Sequence, residues 1–303
     1  MATERAHGET FSPLAPLGRE EYIEQVHFFE TLGERLEENV PAQEVLKSIR
    51  EEVLATTKLP MAIDFLLGEL KHLGVLGPAM AQLPHYFTAF QSFVVRESES
   101  SRLKFDLRVG LEILRREAEY RSGEPTRPGI FLFQFETLCR NRLGYDRGLE
   151  AVALDPAFDA TWREWILNMR RTIGMVDLAD LIFVHSEYYW QRQGGGQGTI
   201  EGEAGGIAKS RDEAVVLFGE REGRIALANR RKDPLYLFSS LQRQLGYPQV
   251  PRQKTADTEQ ALLPQLARRL EQLETRLKLL EEEQRGGLDL TKFYERPQPE
   301  AGL

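Results

Sequence analysis

Apolar residues recur at helical spacing over most of the first 190 positions. Between Arg19 and Asn39, Tyr22, Val26, Phe29, Leu32 and Leu36 share one stripe, which predicts an amphipathic helix stopped by Pro41. A second helix is expected over Ala42 to Thr56. A third begins near Pro60 and ends at Gly74, Gly77 and Pro78. Met61, Ile63, Phe65, Leu66, Leu67, Leu70 and Leu73 make it apolar around most of its circumference, the profile of a central bundle helix. Pro84 is expected to open a further helix carrying Tyr86, Phe87, Phe90 and Phe93, which read as core or, less simply, as the wall of a small-molecule pocket.

Leu103 to Tyr120 carries two apolar stripes and must be sandwiched between neighbours. Another helix follows Pro128, with Phe131, Phe135, Leu138 and Leu143. Asp159 reads as the N-cap of Thr161 to Ile173, and Asp177 as the cap of a segment in which Leu178, Leu181, Ile182, His185 and Tyr189 share a face. The pattern predicts a mainly α protein: a flexible tail over 1–18, then an N-terminal bundle of seven or eight helices over 19–190.

The period then breaks. Gly194 to Gly206 holds seven glycines in thirteen residues, and 191–210 reads as a Gly-rich linker. Over 211–250 a small β-hairpin plus helix is expected. Its strands would be Ala214–Phe218 and Arg224–Ala228, separated by Gly219 to Gly223. Asp233-Pro234 supplies an N-cap and a first-turn proline for a helix that ends at Gly246. A lone hairpin is marginal in water, so this one needs its own helix, the bundle or a partner protein to cover it.

From 255 to 286 the pattern changes to a heptad. Leu263, Leu266, Leu270, Leu273, Leu277 and Leu280 alternate spacings of three and four, the a/d seam of a short coiled coil. With Leu263 at a, Arg269 and Arg276 fall at g, and Glu274 and Glu281 at e. A parallel pair would match Arg269 with Glu274 and Arg276 with Glu281 of the other strand. Each exposed pair contributes about 0.3–0.5 kcal/mol, so the charges set register more than affinity. Two and a half heptads need help from the rest of the chain. The tail, 287–303, carries Leu288, Leu290, Phe293 and Tyr294, which suit docking in cis or capture of a partner protein.

Composition narrows the function classes. The chain of 303 residues carries a net charge of −8. Residues 209–303 hold 17 Lys+Arg against 15 Asp+Glu, whereas 1–208 hold 22 against 32. An acidic body argues against nucleic acid as a partner. Arg230-Arg231-Lys232 is the one dense basic spot, too small to anchor phosphate firmly. No apolar run approaches the roughly 20 residues of a membrane span, and the polar N-terminus lacks a secretory pattern, so no membrane role and a cytoplasmic location are expected. The single cysteine, Cys139, excludes an internal disulfide and a thiolate metal cluster; it reads as a packing residue.

Two Glu-x-x-His motifs, Glu24/His27 and Glu69/His72, are the strongest candidate chemistry. Residues three apart on a helix project side by side and can share an ion. With Glu112 or Glu117, and Glu136, as further carboxylates, the spacing resembles that of ferritin-like di-metal carboxylate proteins, which implies iron or manganese as cofactor. By projection, His27 falls on a solvated face and Glu69 in an apolar arc, where a carboxylate must be paired. A structural salt bridge to an arginine is the plainer expectation, with no metal or other cofactor and no catalytic residue. His185 reads as a core histidine and His85 as a cap or surface residue. Glu136, Arg140, Arg142, Asp146 and Arg147 form a charged patch in which Glu136 and Arg140 pair at i,i+4. Gly202 to Ser210 fails as a phosphate loop because Gly does not directly precede Lys209-Ser210. The pattern points to a non-enzymatic scaffold or adaptor that forms homo-oligomers through its coiled coil. The competing expectation is a di-metal oxidase or metal-binding bundle.

Overall fold

A computed structural model describes residues 15–100, 105–172, 174, 176–194 and 215–253. Among them the protein is helical, with no strand. In chain order the helices are α1 (Arg19–Glu37), α2 (Ala42–Glu52), α3 (Leu59–Leu73), α4 (Gly77–Ala81), α5 (Ala89–Glu99), α6 (Leu107–Ser122) and α7 (Arg127–Arg140). There follow α8 (Tyr145–Ala153), α9 (Ala160–Thr172), α10 (Leu178–Val184), α11 (Glu187–Gly194), α12 (Glu220–Ala228) and α13 (Pro234–Leu245). None of these helices is long and apolar enough to cross a membrane.

Side-chain caps set many of the helix starts. Thr88 and Gln91 form a reciprocal capping box at α5, with both bonds at 3.1 Å. Asp106, Thr126, Asp159, Asp177 and Asp233 each accept from a first-turn amide of α6, α7, α9, α10 and α13. Each such cap is worth about 1 kcal/mol. Gly74 after α3 and Gly246 after α13 take the left-handed conformation, at φ 71° and 68°, that ends a helix cleanly.

One continuous apolar core joins these elements. The long pair α1 and α6 forms its spine, with α2 linking α1 to α3 and α4 lying on α5. At one end Phe28, Phe29 and Phe87 pack edge to face or tilted. At the other, Phe131 of α7 meets Trp165 of α9 at 5.0 Å, and Phe218 closes the cluster at 5.4 Å from Trp162 and 5.5 Å from Trp165. Aromatic pairs at such distances add about 0.5–1.5 kcal/mol each beyond their buried area.

Several sequence expectations need correction. The hairpin over 211–250 is not formed: Arg224–Ala228 lies within helix α12, and Phe218 makes a single parallel bridge to Ser186. Gly219 is the helix N-cap, and Glu220 and Glu222 occupy the first turn, where carboxylates complement the helix dipole. Residues 215–253 pack on α7 and α10, so the bundle covers this segment. Pro84 to Thr88 forms turns, and the helix starts only at Ala89. Met61 is 69% exposed, so α3 lines the bundle on one face and is not its centre. The segment after Asp177 breaks at His185-Ser186 into α10 and α11, where the His185 carbonyl accepts from the amides of Leu217 and Phe218.

The chain divides into two compact units, 1–253 and 254–303. The coiled-coil residues Leu263 to Glu281, the tail after 286, the phosphate-loop lookalike Gly202–Ser210 and most of the glycine run lie outside the described residues.

Candidate functional site

The densest concentration of buried charge sits where α6, α7 and the turn after α8 meet. Glu117 and Arg121 are one turn apart on α6; Gln134 comes from α7, and Asp155 from the turn after α8. All four are buried. The Arg121 guanidinium lies between the carboxylates. Nη2 donates to Glu117 Oε1 at 2.8 Å and also to Asp155 Oδ2. The Gln134 amide repeats the bridge, with Nε2 donating to Glu117 Oε1 at 2.7 Å and to Asp155 Oδ2 at 2.8 Å. Asp155 Oδ1 accepts from the Ala157 amide at 3.0 Å. Tyr22 of α1 covers the guanidinium, 5.9 Å from ring centre to Arg121 Cζ. Burial opposes the charge on Arg121, but Asp155 and Glu117 outweigh it and hold the guanidinium well above its ordinary pKa. For Glu117 the balance is reversed: burial raises its pKa against the pull of Arg121.

A further buried carboxylate, Glu136, anchors the C-terminal end of this body. Glu136 of α7 pairs with Arg140 and accepts from Tyr247 Oη at 2.9 Å. Around it, the extended segment after α13 is tied to the bundle through its backbone. Arg116 donates to the Gln249 carbonyl at 2.7 Å, Asn141 to the Pro251 carbonyl at 3.0 Å, and the Gln253 amide to Asn141 Oδ1 at 3.1 Å. Burial and Glu136 together push the Tyr247 phenol far above its ordinary pKa. Glu136 and Arg140 thus pair as expected at i,i+4. Asp146 instead reaches Arg170, which also pairs with Glu150.

The structure does not gather the Glu-x-x-His residues. Glu24 is the buried member, 8% exposed, and its Oε2 accepts from the Leu54 amide at 3.0 Å in the α2–α3 connection. His27 lies half-exposed beside Glu52, at 3.5 Å. Glu69 is partly exposed and accepts from Gln82 at 3.2 Å; His72 is exposed. The burial expected of Glu69 therefore belongs to Glu24. Glu117 faces a guanidinium, and Glu112 pairs with Arg115 and Arg116. Among the described residues, no three His, Cys, Asp or Glu side chains converge in a group that could hold an ion.

His185 stacks edge-on against Trp165 at 5.7 Å, and its Nδ1 lies 2.8 Å from the Leu181 carbonyl oxygen, the surroundings of a packing histidine. His85 is exposed. Burial raises the Cys139 thiol to about 11, which keeps it protonated at neutral pH. Tyr86, Phe87, Phe90 and Phe93 are all buried core residues. In the basic spot, Arg230 pairs with Asp180 and lies over the Phe183 ring. The sequence offered a signal for Glu117 and Arg121, an i,i+4 pair in a helix with two apolar stripes. It offered none for Asp155 or Gln134, which reach the cluster only through the tertiary fold.

Comparison with protein families, with curated proteins and with solved structures finds no match for the chain.

Proposed function

We propose that the protein is a non-enzymatic helical scaffold that self-associates through residues 255–286. The observation that carries this reading is the charge register of the heptad. Arg269 and Arg276 at g and Glu274 and Glu281 at e are complementary to a second parallel copy, over a seam of six leucines. The division of the chain after Gln253 supports it, because the heptad falls wholly within the second unit. Joining bodies in this way raises their local concentration, and weak sites on each body then act together. The acidic charge of 1–208 suits partners with basic surfaces.

Analytical ultracentrifugation of the full chain against a truncation at Thr255 tests the proposal. The full chain should form a concentration-dependent oligomer in the micromolar range while the truncation stays monomeric. Two monomers, or two equal oligomers, would remove its basis.

A further inference from the structure

The hydrogen bonds around the buried cluster leave two oxygens without a partner, Glu117 Oε2 and Gln134 Oε1, on side chains already joined at 2.7 Å. Both are acceptors if Glu117 is ionised, and a buried acceptor left without a donor is costly. Asp155 differs. Its Oδ1 accepts from the Ala157 amide and its Oδ2 from Arg121 and Gln134, so neither oxygen is left for a proton. The orientation of the Gln134 amide is fixed as well, because only its nitrogen can serve two carboxyl oxygens at once.

We infer that Glu117 is a neutral carboxylic acid in the folded protein, its proton on Oε2 and directed to Gln134 Oε1 in a cyclic acid–amide pair. In that pair the Gln134 amide donates to Glu117 Oε1 and the Glu117 acid donates back, so one proton supplies both missing bonds. The charge count agrees. One guanidinium between two ionised carboxylates would bury a net negative charge, whereas a protonated Glu117 leaves Arg121 and Asp155 as a balanced pair. Burial favours the same form, holding the Glu117 carboxyl above its ordinary range. The titratable and charged groups around Glu117 are Arg121 on its own helix, Asp155 after α8, and Tyr22 of α1 behind Arg121; α7 contributes the neutral amide. A bridging water would supply donors but would not cancel the charge.

The cluster is then a pH-sensitive lock on the α6–α7–α8 junction. The folded state keeps a proton that the unfolded chain releases near the ordinary glutamate range. The folding equilibrium constant therefore falls about tenfold per pH unit through this one site, from about pH 5 upward, until Glu117 ionises in the folded state. An amide reproduces the donor and acceptor of the acid without the titration. Glu117→Gln should therefore fold, match or exceed the parent in stability at pH 7, and lose this pH dependence. Asp155→Asn, which removes the true counter-ion, should be strongly destabilised across the same range. Urea titrations of both variants and the parent from about pH 5 to 9 read these outcomes. Infrared spectroscopy of the parent at neutral pH should show a protonated-carboxyl stretch that Glu117→Gln removes. Failure of Glu117→Gln to fold, destabilisation equal to that of Asp155→Asn, an unchanged pH slope, or absence of the carboxyl band would each overturn the inference.

Discussion

Gly223 of α12 lies so close to Ser186 that a Cβ there would stand 2.2 Å from the serine Oγ and 2.6 Å from its Cβ. Ser186 is itself buried, and its Oγ donates to the Phe183 carbonyl, so it has little freedom to retreat. The contact explains how a nine-residue helix docks against the α10–α11 break. Gly223→Ala should lose about 1–3 kcal/mol in urea unfolding. Gly148→Ala is a companion probe: its Cβ would meet Leu138 Cδ2 and Cδ1 at 2.6 and 2.8 Å and Cγ at 3.3 Å, and Leu138 is itself fully buried, so this variant should lose stability as well. A loss below about 0.5 kcal/mol at Gly223 would mean that Ser186 does not hold α12.

Phe218 arrives from outside the bundle and completes its aromatic end. It is 1% exposed and touches Phe131, Trp162 and Trp165. Phe218→Ala should cost about 3–5 kcal/mol, the usual range for emptying a buried phenylalanine site. Tryptophan emission should shift to the red as water reaches Trp162 and Trp165. A loss below about 1 kcal/mol with unchanged emission would show that Phe218 is not seated among them.

Because residues 215–253 hold to the bundle by Phe218, by α12 and α13, and by Tyr247 on Glu136, the covalent connection over 195–214 is not needed to keep them there. A protease site inserted near Gly198 and cleaved in the native protein should leave two fragments that co-elute in gel filtration and melt together. Release of the C-terminal fragment without denaturant would contradict this packing.

What the sequence revealed depended on the range of each interaction. Asp159, Asp177, Asp233-Pro234 and Gly246 act within one helical turn, and all four sit where the local pattern put them. Residues 215–228 misled because Val215–Phe218 and Ile225–Ala228 have strand-like content, and Gly219 with Gly223 resembles a turn. The acids Glu220 and Glu222 after Gly219 were the overlooked sign of a helix start. Helical projection also exchanged the two Glu-x-x-His motifs. It can count apolar neighbours on the same helix, but it cannot see the Leu54 amide that makes burial of Glu24 tolerable. The partnership of Glu117 with Asp155 fails for the same reason, since it exists only after α8 has packed.

Cys139 gives a chemical readout of the native state. With its thiol raised to about 11 by burial, the thiolate fraction at pH 8 is on the order of 100-fold lower than for an ordinary cysteine near 8.5. Alkylation of the folded protein should be slower by at least that factor, rise with pH, and reach the ordinary rate in denaturant. A native rate equal to the denatured one would place Cys139 in solvent.

The heptad makes the sharpest demand on the proposed scaffold. Reversing Glu274 and Glu281 to Lys would set Lys against Arg269 and Arg276 of a parallel partner, converting attraction to repulsion at every e–g contact named for the seam. Each contact is worth only a few tenths of a kcal/mol, and a parallel dimer repeats each twice, so the four together should shift dissociation by roughly tenfold to a hundredfold. That shift is readable by sedimentation at low salt and is diminished at high salt. Reversing Arg269 and Arg276 to Glu in the same chain should restore association. An antiparallel seam would pair e with e and g with g: the first reversal would then leave the strength of association nearly unchanged, and the second would bring no rescue. The four-residue exchange therefore tests strand direction as well as self-association.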